Sequence, residues 1–261
     1  MNASFVRAFR SEWLKQKRSF ASALVLGGSL FTPVVVAAVR LTHPRSLPSL
    51  YASPTFWPSL WRACWESMAV FFLPLGAILI TSLITQIEFR SNAWKQVHAL
   101  PLSTTSIFVS KLCVILVRMV QFLVLFNLGV YASGMLPHLL VPGVPLPQGA
   151  FSSLPFWRES ALYFVDCLPI VAAQYFIALR VPNALVPIGI GFVAWVGALA
   201  SVSSRFAIWW PYSYSIIRYI RASPKGAHLA SHTQLHWLAM AFFLVLTVIS
   251  AVAFITKQEK G

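Results

Sequence analysis

The sequence predicts an all-α integral membrane protein: six transmembrane helices, an N-terminal amphipathic interfacial helix, and a re-entrant or interfacial segment before the last helix. Of its 261 residues, 58% are hydrophobic and only 10% are charged, whereas soluble domains carry about a quarter charged residues. Mean hydropathy is +0.73. The apolar residues also gather in runs of about 20, the length a helix needs to cross the hydrocarbon core. A water-facing helical fold would need a polar face on each of these runs, and most have none.

The chain opens with SFVRAFRSEWLKQK, residues 4–17. Phe5, Phe9 and Trp13 recur every four residues, while Arg7, Arg10 and Lys17 point elsewhere, and Glu12 and Lys15 lie in the same segment. This pattern predicts an amphipathic helix in the membrane interface, with anchoring as its simplest role. No small-residue cleavage site follows the first apolar run, so that run is expected to be retained as a helix.

Residues 20–39, 67–87 and 237–256 contain no charge, nor does 181–204, which is entered through Pro182 and Asn183. Residues 112–134 carry Arg118, and 160–179 carry Asp166. The expected spans are therefore about 20–41, 66–87, 107–134, 160–180, 183–204 and 237–256, in one transmembrane domain covering residues 1–261. Pro33, Pro74, Pro169 and Pro187 favour kinks within the spans. Gly189, Gly191, Gly197 and Ala198 would let the fifth span approach its neighbours closely. Cys64, Cys113 and Cys167 are odd in number and lack CxxC spacing, which suits small apolar residues better than a disulfide or metal framework.

Six spans put both termini on one side. With those termini inside, eleven basic residues fall on inner segments and eight on the much longer outer ones. The denser cationic side is expected to be cytoplasmic. The net charge of +14 then reflects topology and attraction to anionic lipid rather than nucleic-acid binding. Trp57, Trp61 and Trp65 share one helical face, predicting a helix against the outer leaflet before the second span, and Trp157, Trp209, Trp210 and Trp237 extend the aromatic belt. Residues 135–158 are proline-rich and expected to be irregular. FAIWWPYSYSIIRYI, in 205–236, is apolar but too short to span and is interrupted by Pro211, so it is expected to dip in from outside.

No phosphate loop, nucleophile elbow, HExxH or EF-hand loop occurs. Only six acidic residues are present, and no catalytic residue is predicted. Arg118 and Asp166 fall at similar membrane depths, so an intramembrane ion pair is geometrically open to them. It would either lock two helices or contact substrate or an ion. His228, His232 and His236 repeat every four residues, but no Cys, Asp or Glu lies nearby to complete a metal site, and no metal is predicted.

RSEWLKQKRSF near the N-terminus, EFRSNAWKQVHALPLSTTSIFVSK between the second and third spans, and the dipping loop before the last helix together resemble ABC-2-type transporter permeases. The resemblance extends to the permease subunits of lantibiotic and peptide-antibiotic immunity transporters. It covers essentially the whole chain and is most specific in W-K-Q-x-H-A-L-P-L-S. It implies a bacterial cytoplasmic-membrane protein with no cofactor of its own, working with a separate ATP-binding subunit that holds ATP and Mg. The other implied partner is a second permease, either another copy or a related chain. It also implies a cytoplasmic coupling segment at 88–106. There Trp94, Val97 and Leu100 would enter an ATPase cleft while Arg90, Lys95 and His98 meet its rim, and Glu88 belongs to the same coupling set. The expected cargo is a peptide antibiotic or another amphipathic molecule. A non-transport membrane scaffold that recruits a soluble cytoplasmic partner through the same segment is the alternative.

Overall fold

The computed structural model describes residues 2–16, 19–87, 103–149, 151, 154–222 and 233–258. Helix α1 (Asn2–Lys15) turns at Gln16 into α2 (Phe20–Thr42). A 3-10 turn and the short α3 (Leu47–Tyr51) precede α4 (Phe56–Ser67), which continues through one π turn, Met68–Phe72, into α5 (Leu73–Thr85). Then come α6 (Thr104–Leu140), α7 (Leu154–Arg180) and α8 (Leu185–Ser201). Two 3-10 turns, Arg205–Trp209 and Pro211–Ser213, lead into α9 (Tyr214–Ala222), and α10 is Thr233–Gln258.

Five stretches are long and apolar enough to cross a bilayer: Phe20–Thr42, Phe56–Thr85, Thr104–Leu140, Phe156–Arg180 and Leu235–Thr256. The remaining apolar helix, α8, is shorter at 17 residues, about 25 Å at 1.5 Å per residue. Among the described residues every regular element is helical.

The tryptophan face of α4 differs from the sequence expectation. It faces the bundle rather than lipid, because α4 runs unbroken into the second span and carries its aromatic stripe inward. Trp65 is fully buried and stacks on Tyr163 at 4.0 Å, with Phe126 edge-on at 5.3 Å. Trp57 packs against Tyr131 and Phe151. Gly134 makes room for Trp57, since a Cβ there would lie 2.5 Å from the indole ring. Trp209 and Trp237 remain exposed, as belt residues would be.

Of the four prolines expected to kink spans, Pro33 and Pro169 lie inside helices. Pro187 lies in the first turn of α8, where a missing N–H removes no helical bond. Pro74 acts differently. It follows the π turn, in which the Leu73 N–H is taken by Met68 O. With no N–H at Pro74, the carbonyls of Ala69 and Val70 lose their helical donors. Two side chains from other elements serve them: Ser215 Oγ donates to Ala69 O at 2.8 Å, and Trp195 Nε1 donates to Val70 O at 2.9 Å. The defect in the second span is thereby filled by α8 and α9.

Of the chain between α8 and α10, the described part, residues 202–222, is re-entrant. Trp210 Nε1 donates to Ala194 O at 2.8 Å, so the chain has turned back alongside α8. Tyr212 accepts from Gln174 Nε2 at 2.8 Å. Gln174 lies six residues before Arg180, about 9 Å along α7. From that depth α9 climbs back toward the start of α10. Gly191 allows this packing, because a Cβ there would overlap Gln174 Nε2 and Ile78. By contrast, Gly189 faces open space and Gly197 meets only Trp210 at 3.8 Å.

Trp195→Phe keeps the ring but strands the Val70 carbonyl, and is expected to cost about 1–3 kcal/mol. Thermal melting in detergent should register this loss. Combining it with Pro74→Ala, which restores a backbone donor, should recover part of it. Equal losses in the single and double variants would contradict the role given to Pro74.

Candidate functional site

At the N-terminal end of the bundle, α1 docks on α6 by an edge that its aromatic stripe does not reveal. Ala8, Glu12 and Gln16, spaced every four residues, are its buried positions. Phe5, Phe9 and Trp13 form a ladder of rings at 6.4 and 6.3 Å beside them. Glu12 is the centre of this contact. Its Oε2 accepts from Lys111 Nζ at 3.0 Å, and its Oε1 accepts from Lys15 Nζ at 2.6 Å. Lys111 is 1% exposed, so its ammonium has exchanged water for this carboxylate. One turn further on, Gln16 Oε1 accepts from Arg118 Nε at 3.3 Å. The Arg118 guanidinium also lies 4.3 Å over the Trp13 ring and donates to Gln121 Oε1 at 2.8 Å.

Further contacts hold the two roots of the segment that the family resemblance assigns to coupling. At the end of α5, Gln86 Nε2 donates to Ala178 O at 3.0 Å and Val181 O at 2.6 Å, fastening the second span to the end of α7. At the start of α6, Ser103 is an extended N-cap whose hydroxyl accepts from Ser106 N at 3.2 Å. Lys111 follows two turns later. Glu88, Arg90, Trp94, Lys95, His98 and Leu100 lie outside the described residues.

At the distal end, α9 is held by a charged cluster. Arg218 Nη2 pairs with Glu159 Oε2 at 2.7 Å, and Nη1 lies 3.5 Å from Asp166 Oδ2. Nη1 also donates to His236 Nε2 at 2.8 Å, while His236 Nδ1 lies 2.6 Å from Asp166 Oδ1. A guanidinium cannot accept a hydrogen bond, so Nε2 must be the acceptor and Nδ1 carries the proton given to Asp166. The geometry thus assigns His236 as the neutral Nδ1–H tautomer. The guanidinium stands 5.1 Å over the Tyr163 ring, whose other contact is the Trp65 stack. Arg62 Nη2 caps the end of α9 by donating to Ala222 O at 2.8 Å.

The Arg118–Asp166 pair expected from sequence is not formed. Similar depth along two helices does not make the side chains face each other. Arg118 points to the N-terminal helix, and Asp166 points to the re-entrant one. The sequence also missed Lys111, Glu159, Arg218 and His236 as partners. A lysine eight residues into an apolar helix was a usable signal for the first. In the sequence His236 is spaced with His228 and His232, which lie outside the described residues, and nothing in that spacing points to Asp166.

Glu12→Gln takes the Glu12 carboxylate from a lysine that is 1% exposed, and the expected cost is about 3–5 kcal/mol. Glu12→Gln with Lys111→Met should recover most of it, read by thermal melting. Arg218→Gln should raise amide exchange in residues 214–222 while α2 stays unchanged; unaltered exchange there would remove Arg218 as the hold on α9.

Comparison with known proteins gives one family. The profile described as ABC-2 family transporter protein matches residues 8–198. That stretch contains the α1–α6 contact and both roots of the proposed coupling segment. No curated protein matches the chain. The match covers well over half of the sequence, and the chain belongs to the ABC-2 transporter family.

Proposed function

With that membership as premise, we propose that this chain is the permease of an ATP-driven exporter, and that the coupling segment, residues 88–106, is where its ATPase takes hold. The family match across residues 8–198 carries this reading. A permease of this family is a membrane transport component that works with an ABC ATP-binding partner. The permease supplies the path through the membrane, and the partner supplies ATP and Mg.

The geometry supports a specific route for the force. The 88–102 segment leaves α5 beside the Gln86 clamp and enters α6 through the Ser103 cap. A pull on it acts on two spans at once. The Glu12–Lys111 bond carries the same pull into α1. In this reading Trp94 is the anchor in the ATPase and Arg90 its polar companion, since aromatic residues and arginine dominate interface energetics. Val97 and Leu100 complete the apolar contact, and Glu88, Lys95 and His98 meet the rim.

The finer reading is a bacterial cytoplasmic-membrane exporter with both termini inside, paired with a second permease. Its cargo is a peptide antibiotic or another amphipathic molecule, as in the lantibiotic-immunity group. The apolar span surfaces and the scarcity of intramembrane charge favour such a cargo over a small ion.

Trp94→Ala tests the joint. Co-expressed with its ATPase, the variant should fold and melt as wild type does but bind the ATPase at least about tenfold more weakly, the loss of a typical interface anchor. Permease-dependent ATP hydrolysis should fall with it. Full ATPase binding and full transport would place the joint elsewhere. Purification with a soluble partner that lacks nucleotide binding would favour a membrane scaffold instead.

A further inference from the structure

We propose that the cavity between α7 and α10 at the N-terminal end of the bundle binds the phosphate of an anionic phospholipid headgroup. This inference does not depend on the cargo or on the ATPase. The cavity holds about 400 Å³ and is lined by Phe176, Leu179, Arg180, Ser250, Ala253 and Phe254. That volume lies in the range of small-ligand sites, about 300–1,000 Å³.

Two polar groups in its wall lack the partners that such groups normally have. Ser250 is 2% exposed, and its hydroxyl has no hydrogen-bond partner. A helical serine or threonine usually donates back to a carbonyl of the preceding turn. Ser29, Ser110, Ser133 and Thr256 do so here, to Leu26, Ile107, Val130 and Val252. The Ser250 hydroxyl, like those of Thr81 and Thr247, has no partner within the protein, and a buried hydroxyl left unserved is costly. Arg180 ends α7 at the cavity mouth, with its guanidinium 4.2 Å over the Phe176 ring. Among the described residues no carboxylate or carbonyl pairs with it. A guanidinium carries its N–H donors in a planar fork that suits phosphate oxygens.

The remaining wall is apolar and firmly backed. The Phe254 ring packs 5.9 Å from Phe108, which packs 5.0 Å from Tyr175. Tyr175 Oη is tied to Phe108 O at 3.0 Å. One cation and an apolar wall between two spans suit a molecule that is anionic at one end and aliphatic below. A basic pocket between membrane helices is a known setting for such headgroups.

The test uses the full-length protein in non-ionic detergent, with phosphatidylglycerol, phosphatidylcholine and inorganic phosphate added separately. Phosphatidylglycerol should raise the melting temperature more than phosphatidylcholine, and inorganic phosphate alone should not. Arg180→Gln changes an exposed side chain and should weaken fluorescent phosphatidylglycerol binding about fivefold. Ala253→Leu fills the cavity without changing charge and should weaken it at least as much. Arg45→Gln, an exposed arginine elsewhere, should bind as wild type does. Equal effects of the two lipids, or equal losses at Arg45 and Arg180, would overturn the site. A shift reproduced by inorganic phosphate would make the occupant a free anion and overturn the lipid assignment.

Discussion

Pro74 cannot donate a backbone hydrogen bond, and the packing of the distal half of the bundle is arranged around that missing donor. The π turn before it passes the Leu73 N–H to Met68, and with no N–H at Pro74 the Ala69 and Val70 carbonyls lack their usual helical donors. Inside a bilayer no water can serve them, so other helices must. Ser215 of the re-entrant helix takes one and Trp195 of the short apolar helix α8 takes the other. The irregularity in the second span thus becomes the seat for the two least regular parts of the molecule.

The same constraint governs the charges. Four carboxylates lie among the described residues, and each has a neighbour to answer it. Glu12 answers Lys111 and Lys15, Glu159 and Asp166 answer Arg218, and Glu66 lies beside Tyr219. They fall into two groups, one at each end of the bundle. Each group fixes a short helix that does not cross the membrane: α1 at one end and α9 at the other. Neither short helix could hold its place by apolar burial alone, because lipid tails receive an apolar side chain as readily as a protein interior does.

Close packing supplies the remainder. The Trp65–Tyr163 stack, the Gly134 contact with Trp57 and the Gly191 contact with Gln174 all bring helices nearer than larger residues would allow. These contacts also connect the two ends. Tyr163 touches both Trp65 and the Arg218 guanidinium, so the aromatic core and the distal charge cluster share one side chain.

Spans, re-entrant segment and amphipathic start were legible in the sequence because each depends on local composition. Twenty apolar residues are long enough to cross whatever surrounds them, and Pro211 breaks a segment too short to span. The family likeness was legible too, most specifically in W-K-Q-x-H-A-L-P-L-S, residues 94–103, nearly all of which lie outside the described residues. What only the tertiary structure decided was direction. Composition placed Trp57, Trp61 and Trp65 on one face but could not say whether that face met lipid or protein. It gave Arg118 and Asp166 similar depths but not their rotation about their helix axes. The partner of a buried charge is set by which way each helix turns, and that is fixed by packing among all the helices rather than by any one stretch of chain.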